Sequence, residues 1–285
     1  MPTATDALIS TGAVALDVAD LDVASAFYRR ALGLTERGRD ADGARLGSAA
    51  RDLVVLRPAP PGARADHHAA GLFHLALLYP SRAELAAALL RLAAAGWRLD
   101  GASDHLVSEA VYLHDPEGNG IELYRDRERD EWPRAADGTL GMDTLPLDLR
   151  DLVAEAPDGG PAATAPEDLT MGHVHLRVAD LEPTRRFYIE QLGFEPVVEH
   201  YPGALFVSTG GYHHHLGLNT WHSRGRRATP GTLGLRHAEL RFADDGLRAA
   251  ALERLRGDGV VPRDEVGGDP IVVDPSGNRL RLAVA

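Results

Sequence analysis

The chain repeats itself. GAVALDVADLDVASAFYRRALGL begins at Gly12, GHVHLRVADLEPTRRFYIEQLGF begins at Gly172, and the match runs through Phe-Tyr and Leu-Gly without a gap. Each stretch reads as an alternating strand ending at Asp20 or Asp180. An amphipathic helix follows, carrying Phe27 and Tyr28 or Phe187 and Tyr188 and stopping at Gly33 or Gly193. Pro183 suits the first turn of the second helix. GLFHLALLYP at 71 and GLRHAELRFA at 234 form a second pair, each a strand leading into an Ala/Leu/Arg-rich helix. HDPEGNGIELY at 114 then answers VDPSGNRLRLA at 273, and Asp-Pro-x-Gly-Asn is a turn between two strands. Internal repetition of this kind dictates the architecture before any single element does. The expectation is an α+β chain of four β-α-β-β-β modules at roughly 11–60, 71–126, 171–222 and 234–285. Residues 1–126 would form one domain and 171–285 a second. The linker at 127–170 differs: LPLDLRDLVAEA reads as a short helix and PDGGPAATAPEDL as an exposed loop.

Composition narrows the function. The formal net charge is −12, which disfavours a phosphate-backbone partner, and every one of the 30 basic residues is Arg. There is no cysteine, so disulfides, thiolate metal sites and cysteine nucleophiles are excluded. MPTATDALISTG has no basic leader, and no apolar run approaches the ~18 residues of a membrane helix. The expectation is a soluble cytoplasmic protein without nucleic-acid or membrane partners.

GHVHLRVADL with FY and LGF, combined with DPEGNGIELY, resembles the vicinal oxygen chelate superfamily (glyoxalase, bleomycin resistance protein and dioxygenase) over nearly the whole chain apart from the linker. Within it, the four-module type I extradiol, catechol 2,3-dioxygenase-like proteins are the nearest match. The resemblance implies modules paired into two curved half-barrel β-sheets with flanking helices. It also implies a metal held by a His on a first strand and a Glu on a last strand. Ring-cleaving members use two His and one Glu, a donor set that suits Fe(II), with Mn(II) possible, and leaves positions open for substrate oxygens and O₂.

The four first-strand slots hold Ala13, His74, His173 and His237. The last-strand slot, seven residues after the turn Asp, holds Glu122 in module two and Arg281 in module four. Pairing within each half leaves either half without a full set. Pairing module two with module three collects His74, Glu122 and His173, either through the long linker within one chain or across a homo-oligomer. His237 reads as a structural or pocket-lining residue, His67 and His68 as surface, and His175 as sharing the face of His173.

By the same resemblance, the run His213-His214-His215 carries an acid–base residue in His214. If the run is a strand, alternation turns His213 and His215 away from it; the blander reading is a polar strand end facing water. Tyr112, three residues before Asp115, and His105 match second positions near a substrate, whereas module four has Ile271 in place of Tyr112. The resulting expectation is an extradiol dioxygenase acting on a small aromatic diol with O₂. The alternatives are a glyoxalase-type isomerase and a non-catalytic protein that binds a small aromatic.

Overall fold

The computed structural model describes residues 7–136, 138–160, 162–198, 201–264 and 268–285. MPTATD, part of the stretch read above for a leader, lies outside them. Module one contributes β1 (Ile9–Val18), α1 (Leu21–Arg30), β2 (Thr35–Asp40), β3 (Gly43–Gly47) and β4 (Asp52–Pro58). Module two contributes β5 (Gly71–Leu78), α2 (Arg82–Ala94), β6 (Gly101–Asp104), β7 (Ser108–His114) and β8 (Gly120–Asp126). The linker adds a two-residue strand β9 (Leu145–Pro146) and a short helix α3 (Leu149–Ala154). Module three follows as β10 (Thr170–Arg177), α4 (Leu181–Arg185), β11 (Glu195–Val198), β12 (Ala204–Ser208) and β13 (Leu216–Asn219). Module four is β14 (Gly234–Phe242), α5 (Asp245–Gly257), β15 (Arg263–Asp264), β16 (Pro270–Val273) and β17 (Arg279–Val284). All four modules keep the β-α-β-β-β order that the repeat predicts. One element differs: from Arg186 to Leu192 the helix after α4 widens to π-helical pitch before Gly193 ends it at φ +98°. No helix among the described residues is long and apolar enough to cross a membrane.

Local chemistry explains the helix starts. Asp20, Ser81, Asp180 and Asp244 each accept a hydrogen bond from a backbone N–H of the first helical turn, satisfying donors with no intrahelical partner. The Asp-Pro-x-Gly-Asn turns do more. Asp115 accepts from the backbone N–H groups of Glu117 and Asn119, both at 2.9 Å, and from the Asn119 amide at 2.8 Å. Asp274 does the same for Ser276, Asn278 and the Asn278 amide at 2.8, 2.8 and 3.0 Å. Each buried carboxylate also receives the hydroxyl of the repeat tyrosine, Tyr28 to Asp115 and Tyr188 to Asp274, both at 3.1 Å. The variable residue of the turn points the other way. Glu117 accepts from the N–H groups of Ala19 and Asp20, and Ser276 accepts from that of Ala179. Thus the two repeated motifs, far apart in sequence, are two sides of one contact.

The chain forms two compact units. The first comprises Met1–Asp17, Pro60–Phe73 and Gly172–Ala285. In it, β14 runs parallel to β17, antiparallel β16 and β15 extend that sheet, and β10 runs parallel to β13, followed by β12 and β11. It also takes β1: module one's opening strand pairs antiparallel with module four's opening strand, Ala15 opposite His237. The second unit comprises Val18–Ala59 and His74–Met171. There β2, β3 and β4 form an antiparallel meander, and β5 runs parallel to β8, with β7, β6 and β9 beyond. The linker is anchored in this second unit. Arg82 bonds Glu109 at 2.9 Å, and also Asp151 and Glu155 around α3, both at 2.7 Å. Arg91 holds the carbonyls of Ala162 and Thr164 at 3.0 and 3.2 Å.

Burial pushes the Tyr188 hydroxyl well above the usual phenol range, and the Asp274 charge and hydrogen bond add to this, so Tyr188 remains a neutral donor. Tyr188→Phe removes that donor and leaves a buried carboxylate short of one partner. The expected loss is about 1–3 kcal/mol, read as a lower urea midpoint with unchanged slope. An unchanged midpoint would show that the turn amides alone satisfy Asp274.

Candidate metal centre

In the second unit, His74 on β5 and Glu122 on β8 are both buried, and the His74 Nε2 lies 3.1 Å from Glu122 Oε2. The parallel β5–β8 ladder sets this up, since Ala76 is the register partner of Glu122 and His74 that of Gly120. Across β8, Tyr112 on β7 sits directly opposite Glu122. Burial, then the Glu122 charge, then its hydrogen bond raise the Tyr112 hydroxyl well above the usual phenol range. Behind Tyr112, His105 Nε2 lies 2.7 Å from the hydroxyl, and His105 Nδ1 donates to the Asp143 carbonyl at 2.8 Å. A carbonyl can only accept, so Nδ1 carries hydrogen, and in the neutral ring Nε2 is the acceptor for the tyrosine. His105 gets its direction from a tight turn. Leu106, the single described non-glycine residue with positive φ (+70°), donates its N–H to Asp104, and His105 N–H donates to the Ser108 carbonyl. The linker strand β9 pairs with β6 beside this turn, Asp104 opposite Leu145.

Module four shows what the corresponding place becomes without a carboxylate. Arg281 on β17 stands opposite Glu239 on β14 and Ile271 on β16. Its guanidinium bonds Asp269 at 2.8 and 3.1 Å, and Glu239 is bonded to Arg241 at 2.5 Å. Arginines and carboxylates fill the slot with ion pairs, and a cation lies where a metal would need an anion.

In the first unit, β10 carries His173 and His175, both buried. The His173 ring lies 4.2 Å from that of His214, and His214 packs against Phe206 at 5.1 Å. The run His213–His215 is not on a strand: it occupies the turn before β13, and all three rings are buried. Strand alternation therefore does not govern it. His213 and His214 do not face opposite ways, for their Nδ1 atoms are 2.9 Å apart. His215 instead takes an anchoring role, its Nδ1 accepting from the Thr209 N–H at 3.3 Å. The reading of the run as a strand end facing water fails with its burial. His67 and His68 are exposed, as expected.

His175 lies flat on the neighbouring strand. A Cβ at Gly217 would come within 2.8 Å of its ring, so only glycine fits there. Around it stand Phe73, Trp221 and Phe206, with ring centroids 5.0, 5.5 and 5.6 Å away. These three rings, the Asp143 carbonyl and the His213 contact escaped the sequence reading. Of these, only the GG ahead of the histidine run signals the turn that makes the last contact possible.

A model of the Glyoxalase/Bleomycin resistance protein/Dioxygenase superfamily matches residues 11–123 and 170–282, most of the chain and both copies of the repeat. The chain belongs to this superfamily. A catechol-2,3-dioxygenase of Bacillus subtilis (strain 168) is 42% identical over 229 residues, 77% of this chain and 76% of that protein. Solved structures share the fold. Glyoxalase I of Zea mays superposes with a TM-score of 0.58 at 18% identity, over 96% of this chain and 92% of that one. The cppA protein of Streptococcus pneumoniae TIGR4 superposes with a TM-score of 0.59 at 11% identity, over 97% and 100%.

The packing of His175 on Gly217 makes Gly217→Ala costly. The added methyl must push an aromatic ring that is itself walled in, and about 1–3 kcal/mol of stability should be lost. Gly101→Ala is the control, since no atom lies within 4 Å of the added carbon. Equal urea midpoints for the two variants would contradict the packing described.

Proposed function

We propose that this protein is an extradiol dioxygenase, opening a catechol-type aromatic diol with O₂ at a divalent iron held by His74, Glu122 and His173. The observation that carries the reading is the buried His74–Glu122 pair backed by Tyr112 and His105, set against Arg281 and Ile271 at the same positions of module four. Two imidazole nitrogens and one carboxylate oxygen, all buried, form a donor set that could hold such an ion. A buried carboxylate is costly unless a cation or hydrogen bonds compensate it, and a metal would do so. The assignment of His173 as third ligand draws support from the pairing of β1 with β14. Modules one and four spend their opening strands on each other, leaving those of modules two and three, with His74 and His173, as the remaining pair. The catechol-2,3-dioxygenase relative supports the reaction class. A glyoxalase-type isomerase asks for a second carboxylate, and β13, Leu-Gly-Leu-Asn, offers none.

When bound, iron supplies positions for both diol oxygens and O₂ and passes electrons between them; Mn(II) accepts the same donors. Both oxygen atoms enter the product as the ring opens beside one hydroxyl, giving a semialdehyde or related acid. The protein's part is to hold and move protons and to keep out water. His214, stacked near His173, takes the proton of a diol hydroxyl. Tyr112, held neutral by burial and by the Glu122 charge, has its one hydroxyl hydrogen directed by His105, which leaves its oxygen as an acceptor beside the substrate. Phe73, Phe206 and Trp221 with His175 form an aromatic wall suited to a flat ring.

Metal analysis after anaerobic iron loading tests the reading. Wild type and His237→Ala should hold about one equivalent, while Glu122→Gln and His173→Ala lose most of it. Substituted catechols assayed in air should give a yellow ring-opened product, and His214→Ala should slow turnover by about 10²–10⁴-fold with iron retained. If loaded wild-type protein opens no diol, the dioxygenase reading is wrong. If His173→Ala keeps its iron, the third ligand lies elsewhere.

A further inference from the structure

We infer that a cleft between the helix of module three and α5 is a binding site for a neutral, indole-sized aromatic that carries an N–H donor. The inference does not depend on the dioxygenase reading. The cleft has a volume of about 340 Å³ and is lined by Phe187, Gln191, Asp258, Val260, Val273 and, at its mouth, Arg186. All of these residues belong to the first unit. Modules one and two show what fills the corresponding place. There α2 runs out through Ala95-Gly96-Trp97, as α5 does through Asp258-Gly259-Val260, and both glycines are left-handed, at φ +68° and +81°. The Trp97 N–H donates to the Leu92 carbonyl at 3.0 Å and the Val260 N–H to the Leu255 carbonyl at 2.9 Å, so the two residues hold equivalent positions. The Trp97 ring lies 4.5 Å from that of Phe27, and its Nε1 donates to the His114 carbonyl at 2.9 Å. Phe187 stands as Phe27 does, since each packs on the tyrosine that follows it at 5.1 Å with interplanar angles of 73° and 75°. Val273 precedes its turn aspartate as His114 does. Module four thus keeps the ring that an indole stacks on but supplies valine where its counterpart supplies the indole.

The wall is also more polar. Ala26, Ala31 and Ala95 of modules one and two correspond to Arg186, Gln191 and Asp258. Gln191, only 7 % exposed, turns its Nε2 to Asp258 Oδ2 at 2.5 Å, which assigns the other amide atom as the oxygen. That Oε1 is buried and has no hydrogen-bond partner. A buried acceptor without a donor is costly, and a donor arriving with a ligand recovers the cost. Arg186 is spent on Asp258 at 3.1 Å, and the lining as a whole holds two arginines and two aspartates, which favours a neutral ring over an ion. The π-helical stretch Arg186–Leu192 carries Phe187 and Gln191 to this wall, and widened turns of that kind are frequent where a protein binds something.

Indole itself is the probe. Titrated into wild-type protein with labelled valine methyls, it should bind with a dissociation constant of about 0.1–1 mM and show nuclear Overhauser contacts to Val260 and Val273. Val260→Trp supplies the ring from the chain, as Trp97 does. It should lose those contacts and weaken binding at this cleft by more than about tenfold, with a urea midpoint no lower than wild type. Indene has the same shape without the N–H and should bind about 3–10-fold more weakly than indole, a difference that Gln191→Leu should erase. Contacts to neither valine, contacts confined to the rings around His175, undiminished binding at the cleft in Val260→Trp, or equal affinities for indole and indene would each overturn the inference. The wild-type contacts decide the site even where the bulkier variant fails to fold.

Discussion

The turn aspartates are the constraint on which the modules depend. Asp115 and Asp274 are buried, and a buried carboxylate persists only where donors surround it. Each collects two backbone N–H groups and an asparagine amide from its own turn, then a tyrosine hydroxyl from the preceding module's helix. The turn that shapes one module's last hairpin therefore also fixes where its predecessor's helix sits. Glu117 and Ser276 finish the join by holding the backbone that enters that helix. Burial raises the Asp274 carboxyl above the usual carboxylate range despite those hydrogen bonds, which shows how strongly desolvation acts there.

The same frame carries different chemistry in modules two and four. In module two, the strand that follows the turn delivers Glu122 beside His74 and opposite Tyr112. In module four it delivers Arg281 opposite Ile271 and Glu239. The backbone is repeated while the side chains diverge, so a family resemblance fixes the scaffold and the reaction must be argued from the slot residues.

Much of this was legible in the residues themselves. Four modules and their element order follow from motif spacing, and the His–Glu pairing in module two follows from what the superfamily resemblance implies for the first and last strands. The histidine run was not legible. Its placement depends on two left-handed glycines and on a stacking tyrosine, and alternation has no meaning in a turn. Nor was the support of His105, which bonds a main-chain carbonyl of the linker; any residue type at 143 would present the same atom. The departure of β1 to pair with β14 was also hidden, since a strand's own sequence names no partner. The π-helical turn at Arg186–Leu192 has no counterpart in α1.

The ion pairs around Arg281 couple three elements of module four. Arg281, Asp269 and Arg248 hold β17 and the loop before β16 to α5, while Arg241 and Glu239 brace β14. Charge pairs thus brace this sheet where module two has its His–Glu pair. A substitution that frees Arg281 would therefore be felt along three elements at once, because one aspartate, Asp269, ties the strand, the loop and the helix together.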